Sequence, residues 1–339
     1  MAILAVMATR STSRGGRPRG STSGRVPRGG YPAVPDELAT FLAGFLEGEA
    51  TFSVMRQTKG QYGCAMTLAI RRDDEPLLSE LARATRVGTM RRIPARATSH
   101  PQSAWTVRAK SDCLRLSALL DAFPLRGRKS RDYAIWRAAL RWWVAGDATK
   151  TIPDRDWTPM AYLKDRLHQG RQYTGDDDPI RDTHPGLSSD WPWFLSGFFT
   201  AEGYLGIYPN APGVLKPVLV VRLRRDDHAL LSELRKRTDT GRVYLSEPSG
   251  RQSPVAQWMV FSAEDLLKVV DIFDRHPPKG RKRREYEIWR DAAIQYANVR
   301  PARRAYDKLD RLRSALSDAR TYRTPYDPEP SLVDITRSS

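Results

Sequence analysis

Apolar and polar positions change rhythm along this chain in a fixed order, and the order occurs twice. An apolar run, Phe41-Leu42-Ala43-Gly44-Phe45-Leu46, ends on Glu47-Gly48-Glu49. Apolar residues this dense predict a buried helix, with Asp36 as its N-cap. Alternation follows: Phe52 and Val54 face one way, Thr51, Ser53 and Met55 the other, as in a strand with one buried face. Met66, Leu68 and Ile70 repeat that rhythm. Leu77, Leu78 and Leu81, at helical spacing, mark an amphipathic helix that begins at Arg71-Arg72-Asp73-Asp74. Two short strands are predicted around 88–93 and 105–108, and two helices around 114–122 and 130–143. The unit reads α-β-β-α-β-β-α with one extra helix: four strands, helices on one face, the other face open.

The whole pattern returns 153 positions later, without gaps, from Glu49 to Glu202. The shift relates RRDDEPLLSEL (71–81) to RRDDHALLSEL (224–234), Trp105 to Trp258, and RKSRDYAIWRAA (128–139) to RKRREYEIWRDA (281–292). In the second copy Ser189 is the expected N-cap, Pro192 sits in the first turn, where proline is tolerated, and Leu205, Ile207, Leu219, Val221 and Leu223 take the core-facing positions. The period is too long for a solenoid repeat, so two half-domains related by a pseudo-two-fold axis are expected. The predicted organisation is a basic arm (1–33), a first repeat (34–147), a helix and linker (148–188), a second repeat (189–297), and a C-terminal helix with a polar tail (298–339).

Charge narrows the partner. Lysine and arginine number 56 against 39 acids, a net charge of +17, which argues for a polyanion, most simply nucleic acid. Cys64 and Cys113 offer neither a disulfide framework nor a metal cluster, and a reducing location inside the cell, cytoplasm or nucleoid, is expected. No apolar run reaches the roughly 20 residues that span a bilayer. The first 33 residues carry arginine, serine and glycine but no acid, which suits an arm adding sequence-blind phosphate affinity. An organelle transit peptide has a similar composition. The five histidines form no zinc pattern. Trp142-Trp143 and Trp191-Pro192-Trp193 are expected to pack helices rather than stack on bases.

The candidate chemistry lies where the apolar helix stops. Glycine costs a helix roughly 1 kcal/mol against alanine, yet Gly44 and Gly48 sit one turn apart, matched by Gly197 and Ala201. Small residues at that spacing let two helices approach closely. Packing the stripes together brings Glu49 and Glu202 side by side, where two carboxylates repel unless a cation lies between them. Mg²⁺, for which Mn²⁺ substitutes, suits such oxygen ligands and activates water against a phosphodiester. A single copy would read as an ordinary helix contact ending in a solvated acid; two copies in register argue for function.

LAGFLEGEA (42–50) and LSGFFTAEG (195–203) resemble the motif of the LAGLIDADG homing endonucleases, in their single-chain, two-motif form. The resemblance covers about 35–297. It implies an α+β fold: two pseudo-symmetric αββαββα repeats whose antiparallel sheets form a saddle over DNA, with the motif helices at the centre. The implied reaction is metal-dependent hydrolysis of one phosphodiester on each strand across the minor groove, leaving short 3′ overhangs. Glu49 and Glu202 fall where the family's metal-binding acid lies, although aspartate is the commoner residue there. The sixth motif position is Glu47 in one copy and Thr200 in the other, and is not usually the essential ligand.

The family's basic active-site element corresponds to PLRGRK (124–129) and PPKGRK (277–282). Lys129 and Lys282 are the implied catalytic residues, with Arg128 and Arg281 as rivals or phosphate anchors. Arg72 and Arg225 stand where a polar residue ends the family's second strand, and are either active-site neighbours or partners of Asp73, Asp74, Asp226 and Asp227. The open faces of the sheets are expected to read DNA through Thr51, Ser53, Met55, Gln57, Thr67, Arg71 and Arg91 in one copy and Tyr204, Tyr208, Arg222, Arg224 and Tyr244 in the other. These faces differ between copies far more than the core faces, which suits an asymmetric duplex bound by a monomer. Relatives of the fold also act as intron RNA maturases or non-cleaving DNA-binding regulators. An intein would need splicing residues at the chain ends, and a free-standing protein is expected.

Overall fold

The computed structural model describes residues 34–96, 99–145, 155–173, 190–211, 214–247, 254–299 and 306–322. The expected basic arm, part of the linker, Ser189 and the polar tail lie outside the described residues. The first repeat runs α1 (Asp36–Glu49), β1 (Thr51–Arg56), β2 (Tyr62–Arg71), α2 (Glu75–Thr85), β3 (Thr89–Ile93), β4 (Gln102–Val107), α3 (Lys110–Ala122) and α4 (Lys129–Ala145). After α5 (Thr158–Gln169), the second repeat gives α6 (Trp191–Glu202), β5 (Gly203–Ala211), β6 (Val214–Arg224), α7 (His228–Thr238), β7 (Arg242–Ser246), β8 (Val255–Val260), α8 (Ala263–Arg275) and α9 (Gly280–Asn298), followed by α10 (Tyr306–Arg320).

Each repeat folds into its own four-stranded antiparallel sheet, ordered β1-β2-β4-β3 and β5-β6-β8-β7. Register is preserved residue for residue. Phe52 faces Met66 as Leu205 faces Leu219, and Trp105 and Trp258 each join the two neighbouring strands. Both indoles are fully buried, and each Nε1–H donates to a carbonyl, that of Val87 at 2.8 Å and that of Thr240 at 3.0 Å. A buried indole with its N–H satisfied adds a large apolar area at no polar cost. The strand faces lie as the alternation predicts: Phe52 and Val54 buried, Thr51 exposed, Ser53 and Met55 half-buried.

The helix starts differ from expectation. Pro35, not Asp36, takes the N-cap position of α1, and no side chain caps it. Asp36 and Glu37 lie in the first turn instead, where acids favour the helix dipole. Asp190 precedes α6, again without a side-chain cap, and Pro192 is in the first turn as expected.

The duplication extends further than the constant shift reveals. Arg171, just after α5, directs its guanidinium to Asp132 and to the Phe52 carbonyl. Arg320, at the end of α10, does the same with Glu285 and the Leu205 carbonyl. The partners correspond at the 153-residue shift, but Arg171 and Arg320 are 149 apart. At this shorter shift buried Met160 and Leu167 match buried Leu309 and Leu316, and Tyr173 matches Tyr322. The helix read as part of a linker is therefore the counterpart of α10. The two are also crossed between repeats: Arg71 donates to the Arg320 carbonyl at 2.8 Å, and Arg224 to the Arg171 carbonyl. Tyr322 and Tyr173 lie under those guanidinium groups, 5.6 and 5.8 Å away.

Candidate active site between the motif helices

The motif helices meet backbone to backbone. A Cβ on Gly44 would lie 2.0 Å from the Phe194 carbonyl oxygen, and one on Gly197 1.9 Å from that of Phe41. Farther down the stripe a Cβ on Gly48 would meet the Ala201 methyl at 2.3 Å and Glu202 Cγ at 3.0 Å. Only small residues permit this approach, and it delivers the two C-terminal glutamates to one place.

Burial, and then the Glu202 charge, push the Glu49 carboxyl up to about 7; the Lys129 ammonium opposes this, Asp74 adds to it and Arg281 opposes it. Burial also raises Glu202, against Lys129 and Arg128 and with Asp227. Each carboxylate therefore has an aspartate of its own repeat and an arginine of the other repeat nearby. An open cleft of about 590 Å³ is lined by Glu202, Gly48, Arg128, Lys129, Asp227, Arg222 and Arg224 among others.

The two lysines are placed differently. Lys129 donates from Nζ to the Gly48 carbonyl. Burial lowers its pKa, and Glu47, Glu202 and Glu49 pull it back up. Lys282 donates to the Gly203 carbonyl at 2.7 Å and lies 3.5 Å from both oxygens of Glu285 in its own helix. The sixth motif position turns out to brace the backbone. Glu47, buried, accepts from the Arg126 and Lys129 N–H groups at 2.9 and 3.0 Å. Thr200 accepts from the Lys279 N–H at 3.1 Å. Either oxygen can tie the helix to the basic turn, which explains why the residue differs between copies.

The arginines after β2 and β6 are distributed in a way the local order of charges does not reveal. Asp73 binds Arg71, and Asp226 binds Arg224. Arg225 reaches Glu247. Arg71 and Arg224, expected to read DNA, are half-buried and hold these aspartates and the opposite repeat's helix end. Asp74 and Asp227, which the sequence offers as neighbours of Arg72 and Arg225, accept from the backbone N–H groups of Arg281 at 2.5 Å and Arg128 at 2.6 Å. Their identical place in the two RRDD copies was the available signal. On the open faces Thr51, Gln57, Arg91, Tyr204, Tyr208, Arg222 and Tyr244 are exposed, while Thr67, Met55 and Ser53 are half-buried. Trp142 lies under the Arg155 guanidinium at 3.7 Å, and Trp143 is buried.

The model of the LAGLIDADG endonuclease family matches residues 42–140 and 195–293, more than half of the chain. The chain belongs to the LAGLIDADG endonuclease family. Its fold is that of solved meganucleases: I-LtrWI bound to target DNA (TM-score 0.67, 14% identity, covering 84% of this chain and 98% of that one) and I-AabMI bound to uncleaved DNA (0.65, 17%, 82% and 98%). I-SmaMI, bound to an uncleaved DNA target in the presence of calcium ions, is similar too (0.64, 16%, 83% and 98%). An uncharacterised 50.9 kDa protein in ND4 intron 1 of Podospora anserina is 30% identical over 124 residues, 34% of this chain, and the match spans about a quarter (26%) of that protein. Members of this family are DNA endonucleases that use divalent metals. Among the described residues no helix is long and apolar enough to cross a membrane, and no group of three or more His, Cys, Asp or Glu side chains is placed to hold a metal.

Proposed function

We propose that this member is a site-specific endonuclease. Acting as a monomer, it hydrolyses one phosphodiester on each strand of a long, asymmetric duplex, with Mg²⁺ or Mn²⁺, and leaves short 3′ overhangs. What supports this reading is the pair Glu49 and Glu202 at the ends of two helices whose backbones touch, near enough that the Glu202 charge raises the Glu49 carboxyl. The pair fits a divalent cation: two hard oxygen donors, both held above the ordinary carboxylate range by burial, are what Mg²⁺ takes when phosphate and water complete its shell. When bound, the metal supplies activated water and neutralises charge at the phosphodiester. Glu49 and Glu202 hold it. Lys129 and Arg128, in the same cleft as Glu202, steady the negative charge that develops on the phosphate, with Lys282 and Arg281 as their counterparts. Thr51, Gln57, Arg91, Tyr204, Tyr208, Arg222 and Tyr244, exposed on the open faces, contact bases and phosphates.

Incubation with Mg²⁺ and a randomised duplex library, followed by sequencing of the cut ends, tests the proposal. One long site with staggered 3′ ends is expected. Glu49→Gln and Glu202→Gln should abolish cutting while duplex binding in Ca²⁺ persists. Tight binding to a site or to intron RNA, with no nick in Mg²⁺ or Mn²⁺, would replace this reading with that of a regulator or maturase.

A further inference from the structure

Asp74 and Asp227 occupy the N-cap positions of α2 and α7, yet neither side chain caps its own helix. Aspartate is among the best capping residues, so both copies forgo a local bond. The carboxylates cross the pseudo-dyad instead. Asp227 Oδ1 accepts from the backbone N–H of Arg128 at 2.6 Å, and its Oδ2 lies 3.7 Å from Arg128 Nε. Asp74 makes the mirror contacts with Arg281, at 2.5 and 3.5 Å. Each carboxylate thus sits at the start of the other repeat's last long helix, α4 or α9.

The receiving turns are shaped for this. A Cβ on Gly280 (φ 59°) would fall 2.5 Å from Asp74 Oδ1, and one on Gly127 3.1 Å from Asp227 Oδ1. The residue after each clasped arginine is Lys129 or Lys282, whose ammonium reaches a carbonyl at the end of a motif helix.

We propose that Asp227 and Asp74 are positioning residues: each sets, from across the pseudo-dyad, the arginine–lysine turn of the opposite repeat, so that neither catalytic half is complete without the other repeat. The inference rests on the endonuclease reading, because a turn that only anchored DNA would need no such registration. A displacement of about 1 Å in a catalytic group can cost on the order of 100-fold in rate.

The test is strand-resolved, single-turnover cleavage of the selected duplex with saturating protein. Asp227→Ser is the informative variant, since serine can cap α7 yet is too short to reach Arg128. It should slow one strand at least about tenfold and the other at most about threefold, with duplex affinity retained. The slowed strand should be the one slowed by Arg128→Ala, and Asp74→Ser should slow the strand slowed by Arg281→Ala. Asp227→Asn, which keeps the acceptor for the backbone N–H, should recover most of the rate. Equal slowing of both strands, or an asparagine variant no faster than serine, overturns the proposal.

Amide hydrogen exchange supplies a second readout. In Asp227→Ser the first turn of α4 should lose protection while α7 keeps it; loss confined to α7 overturns the clasp. An unsubstituted chain that cuts nothing would refute the endonuclease reading, and exchange would still decide whether the clasp forms.

Discussion

Two side chains distinguish the halves of the centre: Glu47 stands where the second copy has Thr200, and Glu285 where the first has the shorter Asp132. Asp132 and Glu285 pair with Arg171 and Arg320 alike, but Glu285 in α9 also lies 3.5 Å from the Lys282 ammonium three residues before it. Lys129 therefore faces Glu47, Glu202 and Glu49, while Lys282 shares its charge with Glu285 first. Lys129→Ala should cost more cleavage rate than Lys282→Ala, measured in single turnover on one duplex. Glu285→Asp should leave the Lys129 contribution unchanged. A second residue-level expectation concerns acid. Burial works against the Asp73 charge, but the Arg71 guanidinium outweighs it and holds the carboxyl below 3.8. An acid lowered on folding stabilises the fold above its unfolded pKa, and that stability fades as pH falls through the folded value. Arg71→Met should thus move the acid-unfolding midpoint upward in a circular-dichroism titration. Glu49 and Glu202 were legible as candidates because two copies in register imply paired acids. The routing of Asp73 to Arg71, and of Asp74 to Arg281, was not: neighbouring arginines and aspartates offer several local pairings, and only the turn between strand and helix selects one.

Among elements, the motif helices depend most on size. Gly44→Ala or Gly197→Ala improves helix propensity by roughly 1 kcal/mol, but each places a methyl on a backbone carbonyl of the partner helix. A backbone carbonyl cannot yield as a flexible side chain can. Overpacking of this kind costs typically 1–3 kcal/mol, so a net loss of stability is expected in urea melts. Because the same contact seats Glu49 beside Glu202, cleavage should fall further than stability. Strand and helix existence was written in the alternation, and the glycine stripe predicted the central contact. The kinship of α5 with α10 escaped because their shift is 149 residues rather than 153, and the match survives at a few buried and paired positions only. Those positions become visible once Arg171 and Arg320 are seen making the same bonds.

For the whole molecule, the net charge of +17 predicts binding that weakens steeply with salt, as phosphate contacts release counterions. Residues 1–33 contribute Arg10, Arg14, Arg17, Arg19, Arg25 and Arg28 and no acid. Removing them should flatten the plot of log affinity against log salt, by up to about 0.9 per arginine engaged, while the selected cut site stays the same. A changed site would show that this segment reads bases.

Much of this protein was determined by sequence alone. Duplication, strand phase, the helix contact and the two glutamates are all properties of residues at fixed spacing, and periodicity expresses them without reference to the rest of the chain. The tertiary structure decided what depends on closure of two repeats against each other. It chose which aspartate holds which arginine, sent Asp74 and Asp227 across the pseudo-dyad, placed Lys129 among the acids and Lys282 against Glu285, and turned α5 and α10 into matching straps. The pairings of Asp227, Asp74 and Arg71 that cross between the repeats join residues 99 to 249 positions apart, and no local pattern records which of several equivalent charges will meet once both halves have folded.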